Sequence, residues 1–454
     1  MAAPTASLRV RDGVALMVGM VVGIGVFRAP SLVALKLSDP AVILGLWAIG
    51  AVIVLVGALC YAELASTYPD AGGEYHFLSR AFGPGVGFLF AWARLLVVQT
   101  GAIAAVAFVL SDYAQRLFNL GPYGASIYAV LAVVALTALN IRGTWLSARV
   151  QDGLAVTLVL AVVAAAVIGF VIGPAAPLPA APVATAGAAD LLAGIGFAMI
   201  FVMLTYGGWN EAAYISAELK DVTRSMVRVV VIATAIVAVL YVGINAAYLH
   251  VLGPQAMSRS DAIGADYMQA LLGRPGAVAL SVLVLIAAVT TLNATIFTGA
   301  RSAYAVGRDT GLLGVLGRWD AGAQGPVNAH LVQAALALAL IGLGTLTRKG
   351  FATMVDFTAP VFWFFLLLTG VALFVLRRKG GGNPQGFRVP LYPFTPLLFC
   401  GVSAYMLYAA INYTGKGALV GVGAVLLGLP AWWYVRRHGL RAAAAAARAG
   451  QPAQ

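Results

Sequence analysis

The chain has 454 residues, of which 61% are hydrophobic and 10% charged, and its mean hydropathy is +0.93. No soluble core requires so much apolar sequence, so the composition excludes a globular enzyme or binding module and predicts an all-α polytopic membrane protein. The net charge of +12 does not argue for a nucleic-acid partner. The basic residues sit in short loops between apolar runs, which is the positive-inside pattern of a membrane protein.

A membrane-crossing helix takes about 20 apolar residues, and roughly twelve such segments can be marked off: 13–36, 41–66, 84–113, 122–141, 150–173, 191–217, 228–251, 276–304, 329–346, 353–376, 391–412 and 418–436. Residues 1–12 read as a polar tail. Arg9 and Arg11 before an apolar run mimic a signal peptide, but no clean small-residue cleavage site follows, so the segment reads as retained. The spans group as 13–173, a first block of five; 191–376, a second block of five; and 377–436, two further helices, with 437–454 as a tail. The Pro/Ala-rich segment 174–190 reads as a stiff external connector, and 252–275 as the other long external loop. With the N-terminus inside, Arg80, Arg142, Lys220, Arg308, Arg377, Arg378 and Arg388 all fall on the cytoplasmic face, fewer basic residues fall outside, and both termini are expected to be cytoplasmic.

The first span, MVGMVVGIGVFRAP over Met17–Pro30, is interrupted by Gly19, Gly23 and Gly25. Unpaired backbone groups cost several kcal/mol in hydrocarbon, so a break there belongs where backbone lines a cavity. The bland alternative is close helix packing through small residues four apart. The sixth span repeats the feature with TYGGWN at Thr205–Asn210. Paired glycine-interrupted helices at matching places in two halves point to a substrate site between inverted repeats.

GMVVGIGVFRAP resembles the first-helix motif of the amino acid–polyamine–organocation superfamily. TYGGWN followed by ELKDVTRSM resembles the sixth helix and exit loop of its L-type amino acid transporter branch, and the stretches 61–78 and 292–313 agree. The resemblance implies a five-plus-five inverted repeat of the LeuT type with helices one and six broken, and a secondary transporter with no cofactor. It implies that the substrate carboxylate meets N–H groups of Ile24 and Gly25, beside Gly23. The ammonium would meet carbonyls near Val21, Leu204 and Gly207, with Tyr206, Trp209 and Asn210 about the side-chain pocket. The physics agrees: a helix N-terminus suits an anion and unwound carbonyls suit a cation, so a zwitterion satisfies both.

Three departures stand out. Ile24 replaces a common serine, Leu204 replaces a common aromatic gate, and Leu158 stands where many members carry a fifth-helix lysine. The last reopens the question of coupling to H+ or Na+. Thr290 and Thr291 offer oxygens for a cation, against the alternative that their hydroxyls bond back to their own helix.

Ionisable residues within spans default to functional hypotheses. Arg28 is open between attracting anions, pairing across the outer vestibule and snorkelling. Glu63 and Arg94 read as members of structural pairs, and Asp356 and Arg301 as gates or loop anchors. Glu211 is open between carrying a coupled proton, contacting a cationic substrate and pairing with Arg94. No metal-ligand cluster, nucleophile elbow or nucleotide loop occurs, and four histidines are scattered. The expected function is therefore transport of neutral L-amino acids by exchange or proton linkage across the cytoplasmic membrane. A polyamine or cationic amino acid carrier, and a transport-silent sensor, are the alternatives. Cys60 and Cys400 both fall in apolar runs, and the loop Gln115–Gly121 has no cysteine, so no disulfide-linked glycoprotein partner is expected.

Overall fold

A computed structural model of the chain describes residues 8–70, 72–142, 148–173, 188–310, 315–320, 325–347, 349–380 and 382–437. Among them the protein is helical throughout, with only isolated bridges outside helices. Ten helices are long and apolar enough to cross a membrane, and two shorter apolar helices span Val156–Ile172 and Asp190–Thr205. Most of segment 174–190 and nearly all of the tail 437–454 lie outside the described residues.

The first span is built in three pieces. Helix α1 (Val10–Val21) begins three residues earlier than the sequence reading placed it, and a 3₁₀ turn (Ile24–Phe27) and α2 (Ala29–Ala34) follow. Pro30 seats in the first turn of α2, where its missing N–H costs nothing. Then come α3 (Pro40–Thr67), capped by the Asp39 carboxylate on Ala41 N–H, and the short α4 (Glu74–Phe82) between spans. The third span joins α5 (Pro84–Ala93) and α6 (Thr100–Leu117) through a π-helical stretch, Arg94–Gln99. A π stretch inside a long helix re-aims side chains and recurs at functional sites. Next are α7 (Gly124–Ile141) and α8 (Ala148–Ile172).

In the second block, α9 (Ala188–Thr205) stops at the second break, and a 3₁₀ segment (Trp209–Glu218) leads to α10 (Val222–Val251). The stretch 252–275 is not a plain loop: α11 (Gly253–Ser258) and the start of α12 (Ile263–Thr310) occupy it, with Gly273 at φ 67° kinking α12. The reason is packing: Ala262, Ile263, Ala265, Tyr267 and Met268 are all buried, so contacts on every side fix a helix where overall polarity suggested coil. Helices α13 (Val327–Thr347), α14 (Gly350–Lys379), α15 (Phe394–Thr414) and α16 (Lys416–Leu426) follow, and residues 428–437 are helical beyond a turn at Leu427.

The ends of the two broken spans meet at one face of the protein. Leu8 pairs with Leu219 in a parallel bridge, and Lys220 N–H donates to Leu8 C=O at 2.9 Å. Glu63, near the end of α3, is buried and takes a two-pronged contact from Arg377 of α14, both N–O distances 2.6 Å. Val389 N–H donates to the same carboxylate at 2.7 Å, and Arg388 stands 3.5 Å away. This is the structural pair expected of Glu63.

Candidate functional site

Both spans break at glycines, but Gly19, expected to interrupt the first, stays inside α1, and the break falls at Gly23 and Gly25. At the first, α1 ends at Val21, Gly23 is extended, and the backbone re-coils at Ile24. At the second, Gly208 adopts φ +103°. A side chain there would be strained by the left-handed backbone, and its Cβ would lie 2.7 Å from Met20 O. Glycine is required on both counts, because the second break presses directly on the backbone of the first. Gly25 faces Thr205 less tightly: an added Cβ would lie 3.4 Å from its side chain, in ordinary van der Waals contact.

A side chain that sequence reasoning did not single out pins these two ends. The Tyr241 hydroxyl of α10 is buried, 2.7 Å from Val21 O and 3.1 Å from Thr205 O. These are the last helical residues of α1 and α9, whose terminal carbonyls have no partner within their own helices. No pattern in the sequence marks one tyrosine among many for this role.

A cavity of about 250 Å³ opens against the second break. Leu204, Gly207, Asn210 and Glu211 of the sixth span line it, as does Arg94 from the π stretch. Its remaining walls are largely apolar, from α6 and from Phe362, Trp363 and Leu366 of α14. That wall was not foreseen, because nothing in the apolar run of α14 separates a cavity face from a packing face.

The other expected site residues are placed as follows. Ile24 is buried at the start of the 3₁₀ turn, and a Cβ added at Gly23 would meet only Val21 O, at 3.9 Å. Neither these nor Gly25 belong to the cavity lining. The Val21 carbonyl, expected to meet an ammonium, instead accepts from Tyr241 Oη and from Gly23 N–H at 2.8 Å. Tyr206 is fully buried away from the cavity, its hydroxyl donating to Trp47 O at 2.9 Å. Trp209 also departs from the expected pocket: beyond the left-handed Gly208 its indole packs edge-on against Tyr61 and Phe399. Thr290 donates back to Ile286 O at 2.9 Å, and Thr291 does not line the cavity either. Leu158 is buried as an ordinary apolar residue.

At one end of the cavity lies a charged cluster. Arg94 reaches Glu211 at 3.0 and 3.3 Å, the pairing anticipated among its alternatives. It also lies 3.8 Å from Glu74 of α4. Glu74 is 4% exposed; its Oε1 accepts from Tyr61 Oη at 2.8 Å and from Asn210 Nδ2 at 3.0 Å. Burial pushes the Glu74 carboxyl above the usual carboxylate range; Arg94 opposes the rise and the Glu211 charge adds to it. Glu74 lies within a stretch that carried the family resemblance, and its motif gave no sign that the chain folds this carboxylate under the sixth span.

Arg28 settles into a second cluster. It lies 3.0 Å from Asp261 and 3.6 Å from Asp112, and donates to Ser260 O at 2.9 Å. Alongside it, Arg116 pairs with Asp266 at 2.7 Å. Arg28 therefore ties α2 to α6 and to the segment before α12, as pairing across a vestibule requires.

The family model for amino acid permeases matches residues 10–428, nearly the whole described chain. The chain belongs to the amino acid permease family. Among its relatives, the b(0,+)-type amino acid transporter 1 of Mus musculus is 26% identical over 404 residues, covering 88% of this chain and 81% of that protein. The cystine/glutamate transporter of Homo sapiens is 24% identical over 428 residues, covering 93% and 83%. The serine/threonine exchanger SteT of Bacillus subtilis (strain 168) is 24% identical over 426 residues, covering 93% and 95%. The permease is accordingly a multi-pass membrane transporter and not an enzyme.

Proposed function

We propose that this permease is a secondary carrier of neutral L-amino acids. It works by alternating access in the cytoplasmic membrane, with both termini inside and with residues 13–173 and 191–376 as inverted repeats. The observation that carries the reading is the contact between the two breaks: Gly208 against Met20 and Val21, Gly25 against Thr205, and Tyr241 spanning both helix ends. The first N–H groups of the Ile24–Phe27 turn supply positive potential for a carboxylate. The backbone at Leu204 and Gly207, where the Leu204 carbonyl already accepts from Gly207 N–H at 3.0 Å, lines the cavity on the side where an ammonium would sit, and the largely apolar cavity beyond it suits an uncharged side chain. Relatives that include an exchanger favour exchange as the transport mode.

A cationic amino acid or polyamine substrate would need Glu211 as its recognition carboxylate. Arg94 already holds that carboxylate with two contacts, which disfavours the alternative. Sodium coupling through Thr290 and Thr291 has no support from the cavity, which neither residue lines.

The test is uptake into proteoliposomes of a panel of radiolabelled amino acids, with and without unlabelled amino acid inside. Uptake of neutral amino acids stimulated by internal substrate is expected. Uptake confined to lysine, arginine or polyamines would replace the neutral reading. No uptake, together with no thermal stabilisation by any panel member, would overturn transport.

A further inference from the structure

The charged cluster has a geometry that amino acid recognition alone does not require. Among the described residues two carboxylates face one guanidinium at the end of a largely apolar cavity, and these three groups sum to one minus when all are ionised. Arg94 stands closer to Glu211, at 3.0 Å, than to Glu74, at 3.8 Å. The two acids also differ in setting: the Glu211 side chain is 36% exposed and that of Glu74 is 6% exposed. A buried carboxylate beside a second carboxylate favours uptake of a proton, which neutralises the cluster.

Glu74 is also placed to report its protonation mechanically. Its Oε1 holds Tyr61 of α3 and Asn210, the second residue after the left-handed glycine of the second break. Ionised, it attracts Arg94 and accepts charge-assisted hydrogen bonds from both donors, tying the Trp209–Glu218 segment to α3 and α4. Protonated, it loses the charge that strengthens those bonds. The half-helix that must move in alternating access is then held less firmly.

We propose that Glu74 is the proton-binding group of this permease, taking a proton from cavity water on one side of the membrane and returning it on the other, so that amino acid uptake is proton-linked. This rests on the transport reading above and names the coupling ion and its site. The proton enters as hydronium or from water and leaves the same way, so no other reactant is needed. Among the described residues, the groups facing Glu74 include Tyr61 from α3, Arg94 from the π stretch, and Asn210 and Glu211 from the sixth span. Helix α5, packed on α4, carries no titratable side chain. From α14, Lys379 binds the carbonyls of Arg80 and Ala81 at the far end of α4. His76, on α4 itself, faces Asp70 at 3.4 Å. With leucine at 158 there is no ammonium in the fifth span at that position to take the role.

The experiment uses the full chain in proteoliposomes and a neutral amino acid that exchanges. Uptake is measured with an inward acid gradient and without one. The wild-type ratio is expected to be several-fold. Glu74→Gln should bring the ratio to one, and Glu74→Asp should restore part of it. Tyr61→Phe removes a donor to the ionised form, so the pH midpoint of uptake should move to higher pH; this variant decides the matter if Glu74→Gln does not fold. A wild-type ratio of one with exchange intact overturns proton linkage while leaving transport standing. A Glu74→Gln ratio equal to wild type, or an unmoved midpoint in Tyr61→Phe, overturns the assignment to Glu74. Absence of exchange in the wild type overturns both.

Discussion

At the scale of the residue, Gly208 bears the tightest constraint in the site. Gly208→Ala puts a methyl group on a backbone at φ +103° and 2.7 Å from Met20 O. Left-handed strain costs about 1–3 kcal/mol before the contact is counted. The expected outcome is a lowered melting temperature and lost exchange; a variant with unchanged melting and transport would mean that the two breaks do not press together. Glu74 gives the pH dependence. Its folded pKa is raised above the unfolded value, so the folded protein binds the extra proton between the two, and stability falls as pH rises through that window. Arg94 opposes the rise. Arg94→Gln should therefore extend the fall to higher pH, read as melting temperature across the acid-to-neutral range; a profile superimposable on wild type would contradict the Glu74–Arg94 interaction. Of these residues, the glycines and Asn210 were legible because a break in a membrane helix has a sequence signature. Glu74 was not, since its role depends on α4 folding back under the sixth span, a long-range placement that no local pattern encodes.

At the scale of the element, the broken helices are held by partners that lie on unbroken ones. Tyr241→Phe leaves the carbonyls of Val21 and Thr205 without this donor inside the protein. Losing a partner to buried polar groups costs about 1–3 kcal/mol. A fall in melting temperature with a parallel fall in exchange is expected, whereas a fully stable and active variant would remove Tyr241 from the account. Element positions followed hydropathy well, because a spanning helix must satisfy its backbone internally and is apolar over its whole length. The errors have physical causes. The stretch 252–275 reads as loop in the sequence because α11 has only 6 residues and the start of α12 is cut short at Gly273, so neither forms a long apolar run. Trp209 was assigned to the pocket because the left-handed turn that swings it toward Phe399 depends on Gly208 alone. The bend at Arg94–Gln99 leaves no mark in the sequence.

At the scale of the whole molecule, Arg28 and its acidic partners join α2, α6 and the segment before α12 at the end opposite the Leu8–Leu219 bridge. Arg28→Ala should loosen that end. A cysteine placed at the buried Ala262 should then react several-fold faster with a membrane-impermeant maleimide than in the Arg28 background; equal rates would mean that these pairs do not shield Ala262. The membrane class and the transporter family were both legible from composition and two motifs, while the cavity walls required the packing of α6 and α14.

The central claim is that the two breaks form one binding site for a zwitterion. The most direct test is exchange by Gly25→Leu, reconstituted in the same amount as wild type and checked for an equal elution profile. The account predicts a loss of about tenfold or more, equivalent to at least about 1.4 kcal/mol, because an added Cβ already lies 3.4 Å from Thr205 and the rest of a leucine would drive the two breaks apart. Undiminished exchange in that variant would contradict it.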